Sequence, residues 1–157
     1  MHVTAGKSLR TILTATALVG ASLGWSAGAD AHNQGPYVVK GQLTTHQVEC
    51  STLCTEGLLT GDVRGKLEFT MATMTQTDTP NVATYIGVNV ITTRLGTLTG
   101  TDYGVWNLVT GEFTDYTEFT SGTGIYRGVH GSMSIMGVFD PVAGTGASDW
   151  RASLDLH

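Results

Sequence analysis

β-Branched and aromatic residues recur through most of the chain in short runs, and Gly, Asp, Asn and Pro separate one run from the next. The runs are spaced by about 8 to 12 residues, which is typical of the strands of a β-sandwich or a β-barrel. The last run is the clearest, because Trp150, Ala152, Leu154 and Leu156 alternate with polar residues. Since successive side chains of a strand point to opposite faces, this strand is expected to have one buried face and one face in water.

The pattern predicts eight strands in an all-β domain: Tyr37–Thr45, Asp62–Met74, Thr84–Arg94, Gly96–Thr101, Gly104–Val109, Glu112–Thr120, Gly131–Phe139 and Ala147–Leu156. Gly and Pro in the short connections are typical of hairpin turns, so consecutive strands are expected to pair antiparallel. Closing eight such strands into a barrel removes the exposed sheet edges. The interior is then either filled by side chains or open to one small ligand.

The beginning of the chain, Met1 to Ala31, has the organisation of a secretory signal sequence. Two basic residues precede an uncharged, mostly apolar stretch from Thr11 to Leu23, and Ala29-Asp30-Ala31 closes the segment. We expect cleavage before His32, a single barrel domain over residues 32–157, and a secreted or periplasmic location. The apolar stretch is too short to cross about 30 Å of hydrocarbon, so no membrane span is predicted.

The charge balance narrows the classes of function. The chain has 8 Lys and Arg against 13 Asp and Glu, a net charge of −5. Removing the predicted signal sequence takes away two basic residues and one acidic residue, which leaves 6 against 12. A general nucleic-acid-binding protein needs clustered basic residues to neutralise phosphates, so that class is excluded.

Both cysteines, Cys50 and Cys54, lie in the part of the chain that is expected to be exported. An oxidising compartment favours a disulfide between them. A zinc site is the alternative, but only His46 and Glu49 stand nearby as further ligands, and a single pair of cysteines is a weak metal signal. The sequence therefore predicts a local disulfide and no metal at this position.

The glycine-rich segment from Gly122 to Gly131 is the most distinctive motif of the sequence. Arg127 stands where a dinucleotide-binding loop requires its third glycine, and a strand pattern follows instead of a helix, so a phosphate-binding loop is excluded. Glycines here allow a sharp bend at a barrel corner, with Tyr126 filling the space beside them. The segment resembles the glycine-rich stretch of the allene oxide cyclase and dirigent barrel superfamily, and the resemblance extends roughly from Gly41 to Leu156.

The resemblance implies an eight-stranded antiparallel barrel that often forms homo-oligomers, trimers among them. It also implies an apolar lumen that folds a small hydrophobic molecule toward one product, by cyclisation or by stereochemical guidance, with no cofactor. Arg127 follows an aromatic residue as an arginine does in the dirigent pattern. It is the one functional residue that the resemblance implies here.

A barrel that holds a ligand needs an apolar lining with a few polar groups that fix the ligand's orientation. The candidate ligand-binding residues are Tyr85, Asn89, Tyr103, Tyr116, Glu118 and Arg127. Strand alternation places Tyr116 and Glu118 on one face and Phe113 and Phe119 on the other, so an outward, acidic face is the first interpretation. If Glu118 pointed into an apolar lumen instead, loss of hydration would raise its pKa and suit it to proton transfer.

Three hypotheses of function follow from the sequence. The first is a barrel that binds a small hydrophobic molecule, with isomerase activity of the cyclase type open and the catalytic residues unknown. The second is a non-catalytic, secreted structural or binding protein whose barrel is packed solid. The third is copper binding by an N-terminal His32, whose amine and imidazole could share one ion.

Overall fold

The computed structural model describes residues 36–156 of the chain. It contains eight strands: Tyr37–Val48 (β1), Cys54–Gly61 (β2), Gly65–Gln76 (β3), Val82–Thr93 (β4), Gly96–Asn107 (β5), Glu112–Gly122 (β6), His130–Asp140 (β7) and Thr145–Asp155 (β8). Each strand pairs antiparallel with the next, and β8 pairs with β1, so the sheet closes into a barrel. The predicted all-β class and eight-stranded antiparallel barrel are confirmed. The predicted signal sequence and His32 lie outside the described residues.

The predicted number of strands is right, but one strand was not predicted and another was predicted as two. The strand β2 was not predicted, because Gly57 and the adjacent Leu58 and Leu59 hide its alternation. The predicted pair Gly96–Thr101 and Gly104–Val109 is one continuous strand, β5. Gly100, Asp102 and Gly104 in its middle imitate a turn, yet all three are buried. The two glycines leave room for side chains of the neighbouring strands.

The strand order divides the connecting loops between the two ends of the barrel. One end, called the open end below, carries the loops of residues 49–53, 77–81, 108–111 and 141–144. The other, called the closed end, carries the loops of residues 62–64, 94–95 and 123–129. Within the described residues, no helix is long and apolar enough to cross a membrane.

The closed end is plugged by the glycine-rich segment. A single 3₁₀ turn, Gly124–Tyr126, folds the chain back so that Tyr126 and Val129 are buried. Gly124 and Gly128 have φ angles of 62° and 74°, a region that residues with a Cβ rarely adopt. The prediction of a bend at a barrel corner filled by Tyr126 is confirmed.

Apolar side chains fill the lumen next to this plug. The packed half of the lumen is formed by Ile91, Leu98, Phe119, Met133, Trp150 and Leu154. Each of these side chains is at most 4% exposed, which leaves no room for a ligand at this level of the barrel.

Candidate functional site

A cavity of about 60 Å³ opens from the lumen toward the open end of the barrel. Its apolar lining includes Leu53, Phe69, Met71, Trp106, Phe113 and Phe139. Two edge-to-face ring pairs stiffen this wall, Phe69 with Tyr85 and Trp106 with Phe139, each with centroids 5.8 Å apart. Of the described residues that line the cavity, none is Lys, Arg or His.

A groove of about 320 Å³ adjoins the mouth of the cavity and shares Leu53, Met71 and Trp106 with it. A β-bulge in β3 forms the groove, because the pairing with β4 shifts between Met71 and Thr73 and bends the strand outward. Beyond the bulge Met74 is 52% exposed and forms part of the groove's apolar floor. The cavity and the groove together offer a narrow apolar pocket that continues onto an open apolar surface.

The loop of residues 49–53 forms one wall of this mouth. The disulfide between Cys50 and Cys54 that the sequence predicts is present, and it closes the loop on itself. The loop is also fixed to β3, since the Thr52 hydroxyl donates to the Met71 carbonyl (2.8 Å) and the Met71 backbone N–H donates to the Leu53 carbonyl (2.9 Å). These bonds hold Leu53 at the entrance.

An acid–tyrosine pair, Tyr85 and Asp115, lies in the wall of the cavity. The two residues stand on β4 and β6, on either side of Gly104 of β5, which pairs with both. A Cβ at Gly104 would overlap the ring of Tyr85, so the glycine lets Tyr85 cross β5. The Tyr85 hydroxyl donates a hydrogen bond to Asp115 Oδ1.

A second polar group, called the polar cluster below, lies deeper and consists of Asn89, Asp102 and Thr117. The Asn89 amide donates to Asp102 Oδ1 (2.9 Å) and to the Thr117 hydroxyl (2.8 Å), and the Thr117 hydroxyl donates to Asp102 Oδ1 (2.6 Å). Asp102 and Thr117 are 0% exposed, and Asp102 Oδ2 has no hydrogen-bond partner within the described part of the chain. Of the three residues, only Asn89 lines the cavity.

Burial dominates the electrostatics of both carboxyl groups. Loss of hydration raises the pKa of Asp115 to about 8, the nearby charge of Asp102 adds to the shift, and the hydrogen bond from Tyr85 opposes it. Loss of hydration raises the pKa of Asp102 to about 6, against the hydrogen bond from Thr117. The pKa of Tyr85 is also raised, chiefly by burial and then by the charge of Asp115. Loss of hydration therefore favours the protonated form of the Asp115 carboxyl in this apolar cavity.

The structure brings together two of the six candidate residues, Tyr85 and Asn89, which both line the cavity. Tyr103 and Tyr116 lie on the outer face and are 46% and 48% exposed.

Glu118 is also exposed on the outer face, which agrees with the first interpretation of its strand. Arg127 is exposed in a loop of the closed end. The proposed ligand-binding residues Tyr103, Tyr116, Glu118 and Arg127 therefore do not line the cavity. Strand alternation turns the first three outward, and the plug separates Arg127 from the lumen.

Sequence reasoning missed Asp102, Asp115 and Thr117. The alternation of β6 does indicate two of them. Asp115 and Thr117 stand on the same face of the strand as Phe113 and Phe119, opposite the exposed acidic face. Asp102 was missed because two short strands were predicted in place of β5, and Asp102 falls between them. Within the described residues, no group of three or more His, Cys, Asp and Glu is arranged to hold a metal ion.

Fold and site together define a closed antiparallel β-barrel with an apolar, acid-containing cavity at one end. No protein-family model matches the sequence, and no curated protein matches it either. Among solved structures, the pterocarpan synthase dirigent protein GePTS1 is similar, with a TM-score of 0.47 and 10% sequence identity. The match covers 77% of this chain and 91% of that chain. A likeness at this level does not establish membership of a family.

Proposed function

We propose that the barrel binds a small, largely apolar molecule at its open end, with a hydrogen-bond-accepting group beside Asp115 and the rest of the molecule over the groove. The observation that carries the proposal is a buried carboxyl group, that of Asp115, in the wall of an apolar cavity, where loss of hydration raises its pKa. Since the Tyr85 hydroxyl donates to Oδ1, we propose that the protonated carboxyl donates to the ligand through Oδ2. A cavity of about 60 Å³ accepts only one end of such a molecule, so the ligand must extend into the groove.

The same geometry supports cofactor-free isomerisation or cyclisation as the reaction. Asp115 protonates an acceptor atom of the bound molecule, and the carboxylate regains a proton when the rearranged molecule loses one. The apolar wall excludes water and holds the molecule in one conformation, which lowers the barrier further. The disulfide supports the accompanying proposal that the protein works in an oxidising, exported location.

Titration with the neutral fluorescent probe N-phenyl-1-naphthylamine tests the binding site. Leu53→Trp places a large ring at the shared entrance of cavity and groove, and we expect it to weaken probe binding at least about tenfold. Val109→Trp is the matched control, because Val109 lies in another loop of the open end and is 72% exposed. Equal probe affinity in both variants and the parent would contradict the proposal.

Native mass spectrometry of the protein from its exporting host tests for the natural ligand. An added organic mass that disappears in Leu53→Trp and persists in Val109→Trp identifies the molecule to assay for turnover. Asp115→Asn then separates binding from chemistry, since the amide keeps the shape and the hydrogen bond from Tyr85 but has no acidic proton. We expect this variant to bind the ligand and to lose conversion.

The non-catalytic barrel remains a second candidate, and the packed half of the lumen favours it. A protein of that kind needs neither an open cavity nor a protonated acid. If Leu53→Trp leaves every binding readout unchanged and the protein carries no organic mass, this second function is the better description.

A further inference from the structure

The two ends of the barrel differ in charge as well as in packing. Each of the three closed-end loops contributes one arginine: Arg64, Arg94 and Arg127. All three are exposed, and no ion pair is formed by them with any other described residue. The loops of the open end carry Glu49 and Asp78 and no Lys or Arg.

Acidic residues at the closed end do not cancel these charges. Asp62 lies in the same loop as Arg64, and its carboxylate accepts a hydrogen bond from the backbone N–H of Lys40 (3.0 Å). Asp155 lies at the end of β8. The three loops thus carry three basic residues and one acidic residue, on a chain whose net charge is −5.

Two apolar side chains protrude between the arginines. Leu95 is 59% exposed and Ile125 is 50% exposed, and each is at most two residues from an arginine in its own loop. Their loops are joined, because the Ile125 backbone N–H donates to the Leu95 carbonyl (3.0 Å). The two exposed apolar side chains therefore belong to neighbouring, hydrogen-bonded loops, each of which also carries an arginine.

We propose that the closed end docks on the surface of an anionic lipid bilayer. Leu95 and Ile125 enter the boundary between headgroups and acyl chains, and the three arginines face the lipid phosphates. This combination of shallow apolar insertion and attraction to anionic headgroups is how proteins attach to a membrane surface without crossing it. A purely anionic polymer would satisfy the arginines but would leave both apolar side chains in water.

Docking in this way has a geometric consequence for the cavity. The closed end meets the bilayer, so the open end, with the mouth between Leu53 and Trp106, faces the aqueous side. Attachment and ligand binding use opposite ends of the barrel, and each is testable without the other.

Vesicle co-sedimentation tests the proposal, with phosphatidylcholine vesicles compared with vesicles that also contain phosphatidylglycerol. We expect the protein to bind the anionic vesicles only, and to be released by salt. Arg94→Gln/Arg127→Gln is expected to weaken binding about twenty-fivefold, since each basic residue near an anionic surface contributes about fivefold. Leu95→Ser/Ile125→Ser is expected to weaken it by a similar factor.

Val109→Ser/Val142→Ser is the matched control, because these side chains are 72% and 96% exposed at the open end. We expect it to bind like the parent. All variants share the same N-terminus, so residues 1–35 contribute equally to each measurement, and equal melting temperatures show that each variant is folded. Binding that is unaffected by the Leu95 and Ile125 changes, or equal binding to neutral vesicles, overturns the proposal.

Discussion

The two halves of the lumen are built from the same eight strands but are filled in opposite ways. In the packed half, large apolar side chains close the space against the Tyr126 plug. In the half toward the open end, glycines and polar residues stand at some of these positions. This half holds a cavity with the buried carboxyl group of Asp115 in its wall, and a second buried carboxyl group, that of Asp102, lies deeper. We expect the packed half to provide most of the stability, which would offset the cost of a buried acid in the other half.

Two methionines give the sharpest test of this comparison. Met133 is 1% exposed in the packed half, and Met71 is 7% exposed in the wall of the cavity. We expect Met133→Ala to lower the free energy of unfolding by about 3–4 kcal/mol, because it creates a closed void. Met71→Ala should lower the free energy of unfolding by about half as much, since it enlarges a cavity that already exists. Urea unfolding measures both, and equal losses would show that the halves do not differ in packing.

The buried acid should make stability fall as pH rises. The pKa of Asp115 is raised from its usual 3.8 to about 8, so the folded protein holds a proton that the unfolded chain releases. The stabilisation that this proton gives the folded state is complete below pH 3.8 and is lost as pH rises to about 8. We expect a loss on the order of 2 kcal/mol, allowing for hydration through the cavity.

Asp115→Asn is expected to flatten the upper part of this pH profile, between the pKa of Asp102, about 6, and that of Asp115, about 8. Asp149→Asn, on the outer face, serves as the control and should keep the slope. Thermal melts in a pH series measure the effect. A slope that survives in Asp115→Asn would mean that another group titrates.

The disulfide is expected to matter more for the entrance of the cavity than for stability. A bridge that closes so short a loop contributes about 2 kcal/mol at most. In Cys50→Ser/Cys54→Ser the loop of residues 49–53 keeps only its hydrogen bonds to Met71, so Leu53 is held less firmly. We expect the probe to exchange several times faster, as measured by stopped-flow fluorescence. Unchanged exchange would show that the loop does not control entry.

The smallest effect is expected at the hairpin between β7 and β8. The backbone N–H groups of Ala143 and Val142 donate to Asp140 Oδ1 (3.0 and 2.8 Å), and these bonds lower the pKa of Asp140. Asp140→Ala should lower the melting temperature by only a few degrees, because this turn is exposed and far from the packed half. A loss as large as that of Met133→Ala would mean that the open end contributes more to stability than its packing indicates.

Much of the fold could be predicted because it depends on patterns among residues that are close together in the sequence. Alternation in β8 fixes its buried face, and the glycine-rich segment before β7 predicts a bend with Tyr126 packed inside. The disulfide follows from two close cysteines and the expected compartment. Prediction failed at β2 and β5, where glycine and adjacent leucines conceal the alternation of continuous strands.

The candidate site was only half predictable, for a different reason. Tyr85 and Asn89, which the sequence proposed as ligand-binding residues, do line the cavity, but their partners Asp115 and Asp102 lie 30 and 13 residues further along the chain. Alternation within one strand cannot reveal which side chains meet across a neighbouring strand. That meeting depends on the register, which sets Gly104 between Tyr85 and Asp115.

The sequence by itself determined the all-β class, the antiparallel strands and the corner at the glycine-rich segment, because each depends on residues close together in the chain. Only the closed barrel decided the rest. Closure makes one face of every strand the lumen, and the register then places two carboxyl groups where water is scarce. Loss of hydration raises the pKa of each, and that turns an ordinary aspartate of β6 into the candidate acid of this protein.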